Sequence, residues 1–388
     1  MLNPNDQIPV QLKINEIMTV KNSRNCLYCS ILLIGMLFFQ GVVAQSNFKP
    51  IDHWLNANLS SLGGRAVMLI YKDGKIVYQK AANNLSDRQK IGLKLMARRQ
   101  GKPTDEVLQD LTENTKINIA SCSKWLSAAL VMTFVDEGKL ALKDSIGKYL
   151  PVMSLHGKGS ITIEQCLSHT TGIEPGNMKD EIKEFTGAAS MDEVMQLIAD
   201  KPMEAAPGKS FHYSSVGLQV AASVIEKISG KDFETLFAER IASPCAMSQT
   251  DFGHKTIPLP AGGARSTAKD YLNFLTMILH KGKFNGKEVL KEKSIILMQQ
   301  NYTSGLVIKH SPAEAGKWGY GFGEWVINDS DNDNSSNAVT SPGLFGSFPY
   351  IDNQLNYAAV LFTVNLNNKG RHERYSELKK LADNAIRE

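Results

Sequence analysis

Cysteine is scarce: there are five among 388 residues. Cys26 and Cys29 lie in the N-terminal segment, leaving Cys122, Cys166 and Cys245 for the rest of the chain. An odd, widely spaced set offers neither a disulfide framework nor zinc-ligand spacing. A dominant charge is also missing. The chain has 43 Lys and Arg against 39 Asp and Glu, a formal +4, with no dense basic run. Nucleic acid is therefore not an expected partner. Gly-x-Ser-x-Gly, His-Glu-x-x-His and the P-loop are absent, which removes α/β-hydrolase, zinc-peptidase and NTPase readings. Asp329-Ser330-Asp331-Asn332-Asp333 has the look of a calcium loop without its Gly and Glu positions. A solvated hairpin tip is expected there, and no metal site is assigned. No internal repeat is visible.

What is present suits a large globular core. Hydrophobic residues make up 43% and charged residues 21%, enough for one big domain or two lobes. At the N-terminus, Lys21 and Arg24 precede an apolar run from Leu27 to Phe39, and Val42 and Ala44 form a small-residue site. This pattern predicts a signal peptide over residues 1–44, with export to the periplasm or medium and a mature domain over 45–388. The rival is an uncleaved anchor, because Leu27 to Ala44 could span a thin membrane. Membrane attachment is expected only in that case.

Two strand-like runs, Ala66 to Tyr71 and Lys75 to Ala81, flank Lys72-Asp73-Gly74, a hairpin signal. Residues 86–112 read as a polar helical insertion, with Pro103-Thr104-Asp105-Glu106 as a helix start. A helical lobe is expected over about 140–300. It includes Ile163 to Leu167, Met191 to Ala199, Val216 to Ile228 closed by Gly230, Asp232 to Ile241, and Tyr271 to His280. Strand signals return at Gly321 to Ile327, Gly346 to Ile351 and Tyr357 to Val364, before an amphipathic helix from Glu373 to Ile386. Strands at both ends with helices between predict an α+β fold, its antiparallel sheet built by the two termini and flanked by helices.

Chemistry concentrates at Ile117 to Leu126. A strand end leads into Ser121-Cys122-Ser123-Lys124, and from Trp125 to Val135 nearly every residue is apolar or small, as in a helix buried on all sides. Lys124 is the anomaly, because an isolated buried charge costs several kcal/mol. Ser121 lies three residues back on the same helical face, giving a nucleophile with an adjacent base. Ser-x-x-Lys also begins at Ser46, Ser145, Ser266 and Ser376, but only Ser121 sits between a strand and an apolar helix. There the helix N-terminus favours a developing negative charge. Tyr213-Ser214-Ser215, just before another buried helix, can supply a phenol to shuttle the proton. Cys122 reads as a small apolar helix residue. His169 reads as a turn-stabilising residue rather than a catalytic one. Trp318 to Gly323 reads as packing and the lead-in to a strand, with a wall of the acyl pocket as a second role.

With these motifs in order, the chain resembles the serine β-lactamase and penicillin-binding-protein superfamily, nearest its class C β-lactamase, D,D-peptidase and esterase branch. Ala120 to Lys124 matches the first motif and Tyr213-Ser214-Ser215 the Tyr-x-Asn motif. Leu167 to Gly172 and Gly262-Gly263-x-x-Ser266-Thr267 match two further signatures. The resemblance covers about residues 51–388. It implies a serine hydrolase acylated on Ser121, with Lys124 and Tyr213 sharing general-base and general-acid work in an order left open, and with no cofactor. It also implies a depressed Tyr213 pKa if Lys124 stays charged beside it. The oxyanion donors would be the backbone N–H groups of Ser121 and Leu344. Ser215, Ser341 and Gly343 would contact substrate.

Two departures bear on substrate. The third motif, usually Lys-Thr-Gly or His-x-Gly, is here Ser341-Pro342-Gly343, so the residue that helps hold a substrate carboxylate has no charge. Ser215 replaces Asn. Both favour small esters or amides over β-lactams and D-Ala-D-Ala peptides, which rank second and third. Arg265 and His310 are candidate substitute cations. A non-catalytic module binding cell-wall peptide or a partner protein is the alternative of another class.

Overall fold

In a computed structural model, residues 47–99, 101, 103–253, 257–327 and 338–388 are described. The expected signal peptide, with Cys26 and Cys29, and the 329–333 loop lie outside the described residues.

Strands β1 (Arg65–Lys72) and β2 (Lys75–Asn83) form the expected hairpin. Its turn residues Asp73 and Gly74 have φ of 49° and 83°, the left-handed conformation that a two-residue hairpin turn demands. The late strands are β3 (Gly319–Tyr320), β4 (Trp325–Ile327), β5 (Ala338–Thr340), β6 (Phe348–Asp352) and β7 (Tyr357–Thr363). Together they make a seven-stranded antiparallel sheet in the order β2-β1-β7-β6-β5-β4-β3. The termini meet along β1 and β7, from Ala66↔Thr363 to Lys72↔Tyr357. One strand was expected over Gly321 to Ile327. Two short ones occur instead, because residues 321–324 turn, with Gly323 at φ 77°. Strand β5 was not foreseen, since three residues carry no measurable alternation.

Alternation along the central strands divides the core in two. Met68, Ile70, Ala359 and Leu361 face α1 (Lys49–Asn58) and the C-terminal helix, through Trp54, Leu55, Tyr375 and Leu378. Val67, Leu69, Val360 and Phe362 face the helical lobe. The result is the expected α+β architecture, helices on both faces of a sheet drawn from the two ends of the chain. A buried Lys379 ties the C-terminal helix to the sheet, donating to Asp352 at 2.7 Å and Asp383 at 2.9 Å.

Within the piece between β2 and the lobe, α2 (Asp87–Arg99) forms as a surface helix. The predicted helix start at Pro103 yields only a single 3₁₀ turn, Glu106–Leu108. The central helix α3 (Ser123–Asp136) is buried from Ser123 to Phe134, so its apolar surround reflects contact on every side. Helix α4 (Met178–Gly187), absent from the sequence reading, starts at Asn177, whose side chain accepts from the Lys179 N–H at 2.9 Å. Helix α5 (Val216–Ser229) ends at Gly230, φ 68°. Helix α6 (Ala268–Leu279) is capped by the Thr267 hydroxyl, 3.0 Å from the Asp270 N–H.

Candidate active site

The segment carrying Ser121 is held on three sides. Ile117–Asn118 pairs with Arg265–Ser266, and Ala120 takes a left-handed φ of 46°. Strain of this kind persists only where surrounding structure imposes it. The imposing contacts are visible. The 260–264 loop takes hydrogen bonds from Lys124 at 2.7 Å and from Ser127 at 2.7 Å, and the Ala264 N–H donates to Ser123 Oγ at 3.0 Å. The loop that runs into the Gly262-to-Thr267 signature thus forms a clamp on the start of α3, through Pro260, Ala261 and Ala264. On the sheet side, a Cβ on Gly323 would lie 2.4 Å from the Lys124 carbonyl, and one on Gly343 2.5 Å from the Ile119 carbonyl. Both approaches are to backbone and leave no room to relax. Gly343→Ala is therefore expected to destabilise the protein by about 1–3 kcal/mol, measurable as a lower urea midpoint at unchanged m-value.

Ser121 Oγ lies 3.3 Å from Lys124 Nζ. Lys124 is 3% exposed, and burial pulls its amine down from 10.5 to about 7, against the smaller upward pulls of Cys122 and Glu181. The Lys124 Nζ sits 4.6 Å from the centre of the Tyr213 ring, and Tyr213 lines the same cavity as Ser121. The Tyr213 ring leans on Trp325 and His169, at 5.2 Å and 4.9 Å between centroids. This enclosure raises the phenol above its ordinary value. The depression of Tyr213 expected beside a charged Lys124 is therefore corrected: desolvation raises the phenol and outweighs Ser121, which acts the other way, and Lys124 itself gives up charge readily. The site pairs an easily deprotonated amine with a firmly protonated phenol.

These three side chains open into a cavity of about 610 Å³, also lined by Ser215, Leu344, Glu181, Lys179, His310 and Glu314. Leu344 sits at the rim, 36% exposed. Ser341 and Gly343 do not line it. Ser341 is buried, its hydroxyl 2.9 Å from the Gly323 carbonyl and 3.2 Å from that of Ser121. Its proton is directed to backbone, so the expected substrate contact through Ser341 is replaced by a brace between β5 and the nucleophile segment. Arg265 is exposed and outside the cavity lining, whereas His310 lines it. Burial and the neighbouring His212 lower the His310 pKa and favour its neutral form.

His169 stands behind the site, Nε2 3.1 Å from the Tyr320 hydroxyl, with a left-handed φ of 56°. It packs against Tyr213 and does not line the cavity. Cys122 is fully buried and its thiol is pushed up by desolvation, consistent with a packing role. Sequence reasoning missed Glu181, His212 and Glu314. Glu181 is 2% exposed and raised by desolvation, held by the Gly176 N–H at 3.3 Å and Lys201 at 3.9 Å. Asn177 followed by two acids is a helix-start signal that could have located it. His212 reaches the cavity beside Glu204, 2.9 Å from its Nδ1. No cluster of three or more His, Cys, Asp or Glu suited to a metal occurs among the described residues.

The layered fold, with a serine and a buried lysine where sheet meets lobe, is that of β-lactamase-like serine hydrolases. The chain belongs to the Beta-lactamase family, whose model matches residues 61–383. It is similar to a solved Bacteroides dorei protein described as a candidate β-lactamase, with TM-score 0.73, 24% identity, and coverage of 88% of this chain and 99% of that one. It is also similar to EstCE1, a hydrolase with promiscuous acyltransferase activity, with TM-score 0.69, 19% identity, and coverage of 88% and 100%. Among sequence relatives, an Escherichia coli K12 protein named as a candidate D-alanyl-D-alanine carboxypeptidase is 26% identical over 213 residues, 53% of this chain and 46% of that protein.

Proposed function

We propose that this protein is an exported serine hydrolase that forms an acyl-enzyme on Ser121 and hydrolyses small esters or amides. One observation carries the reading: Ser121 Oγ lies 3.3 Å from an amine that burial brings to about 7, at the wall of an open cavity. A lysine of ordinary pKa would be almost wholly protonated at neutral pH and could not take the serine proton. In the proposed sequence, neutral Lys124 accepts the Ser121 proton as Oγ attacks the acyl carbon. The Ser121 and Leu344 N–H groups hold the oxyanion, and the Tyr213 phenol passes a proton to the leaving group. Water then cleaves the acyl-enzyme by the reverse relay.

The substrate preference rests on the third motif. Ser341 gives its hydroxyl to backbone, so no fixed cation of that strand meets a substrate carboxylate. This supports neutral esters ahead of β-lactams and D-Ala-D-Ala peptides. Retention of Ser121, Lys124 and Tyr213 in one cavity speaks against a purely binding role.

The test is covalent labelling. A fluorophosphonate should add its phosphonyl mass at Ser121, and a panel of short and long p-nitrophenyl esters, a chromogenic cephalosporin and a D-Ala-D-Ala peptide should rank in that order. A protein that never labels is a binding module. A second measurement concerns pH. Because Lys124 must be neutral, kcat/KM for a neutral ester should rise about tenfold per pH unit at acid pH and level off above about 7. A profile flat from pH 5 to 9 would remove Lys124 as the base.

A further inference from the structure

Helix α2 presents a face that the fold does not use. It rests on the protein through Gln89, Leu93 and Ala97, successive turns of one stripe; Ala97 is buried and the other two half-buried. On the opposite face, Ile91 and Leu95, again one turn apart, stand 60% and 51% exposed. At about 100° per residue, Arg98 and Lys94 flank this outward pair on one side and Arg88 and Arg99 on the other. All four are exposed. Asp87 is the helix's single acid, and Lys90, off this face, pairs with it at 3.6 Å. A surface helix ordinarily turns its apolar stripe inward and its charges out. Here a second apolar stripe lies in the middle of the charged arc.

The position of α2 is defined by the sheet. It follows the end of β2, at the sheet end where β1 begins and β7 finishes. Leu366, 62% exposed, follows β7 at the same end. The Gly63-Gly64 corner touches both pieces: a Cβ on Gly64 would lie 2.8 Å from Gln89 Oε1, and one on Gly63 2.7 Å from the Val364 carbonyl. Leu344 and Asn368 of the cavity rim belong to this end too, since the Asn365 N–H donates to the Phe345 carbonyl at 2.8 Å.

We infer that α2 is an interfacial helix that docks this end of the protein on an anionic phospholipid surface, with Ile91 and Leu95 entering the headgroup boundary and Arg88, Lys94, Arg98 and Arg99 meeting lipid phosphates. Apolar residues framed by cations are the pattern that lies in such an interface. The same frame argues against a second copy of this chain, because a two-fold contact through this face would set the arginines of both copies against each other. The inference is independent of the hydrolytic reading.

The test is local hydrogen–deuterium exchange of the full chain, read over residues 87–99, with vesicles of equal phosphatidylglycerol and phosphatidylcholine, with phosphatidylcholine alone, and without lipid. Exchange in α2 should slow with the anionic vesicles and stay unchanged with the neutral ones. The Ile91→Ser/Leu95→Ser variant should lose this protection. Arg98→Gln/Arg99→Gln should weaken vesicle affinity roughly 25-fold, near fivefold per basic side chain. The N-terminal apolar run is common to every variant, so differences between them report on α2, and unchanged melting curves confirm the fold. Equal exchange with and without anionic lipid overturns the proposal, as does protection that survives loss of Ile91 and Leu95. Protection that grows with protein concentration in the absence of lipid assigns the face to self-association instead. Failure of Ser121 to label with fluorophosphonate bears on the hydrolase alone.

Discussion

Ser121→Ala is expected to lower kcat/KM by about 10⁵- to 10⁶-fold on every substrate the protein turns over, the scale set by removal of a nucleophilic serine that works with its base as a unit. The fold should survive. Ser121 is only half-buried, and the partner it leaves behind, Lys124, keeps its 2.7 Å hydrogen bond to the Ala261 carbonyl. The backbone that positions residue 121 is fixed by Ala264, Gly323 and Gly343 rather than by the hydroxyl. Steady-state assays with a p-nitrophenyl ester, beside a urea melt, separate the two quantities. Residual turnover near the wild-type rate with a normal melt would place the nucleophile elsewhere.

The parts of this molecule that were legible in the sequence are those written in local pattern. A helix apolar on all sides with one lysine, a two-residue turn between alternating strands, and a glycine closing α5 each specify structure within a dozen residues. The strands at both ends of the chain then left little choice but a shared sheet. What escaped the sequence depends on segments that meet only after folding. His212 and His310 come together because Ser210–His212 and Val307–His310 pair as a short parallel ladder, a contact across about a hundred residues with no local signature. Ser341 read as a pocket residue because its place in the motif was right. The direction of its hydroxyl was set by the Ser121 and Gly323 carbonyls, which no spacing rule reports. Tyr213 shows the same limit for electrostatics. Its neighbour Lys124 was foreseen, but the sign of its shift depended on the rings of Trp325, Tyr320 and His169 that enclose it.

Lys124→Met should separate function from stability more sharply than any other single change. Loss of the base is expected to reduce kcat by about 10²- to 10⁴-fold, while the protein becomes more stable near neutral pH. An unfolded chain holds this lysine at its ordinary value of 10.5, whereas the folded site holds it at about 7. Between those pH values the unfolded state binds more protons, so wild-type stability rises with pH across the window. Below about 7 the full penalty of the buried amine is present, and above 10.5 it has vanished. A shift of this size corresponds to roughly 5 kcal/mol, of which the hydrogen bond to the Ala261 carbonyl offsets part. Methionine fills similar volume without charge, so a net gain of roughly 2–4 kcal/mol at pH 6 to 7 is expected. Urea melts of both proteins at pH 6.5 and pH 10 give the decisive comparison: the variant should lead at the lower pH and the gap should close at the higher. A variant that is less stable at both would mean that Lys124 is held by attraction within the site, and the depressed pKa on which the proposed proton transfer depends would fall with it.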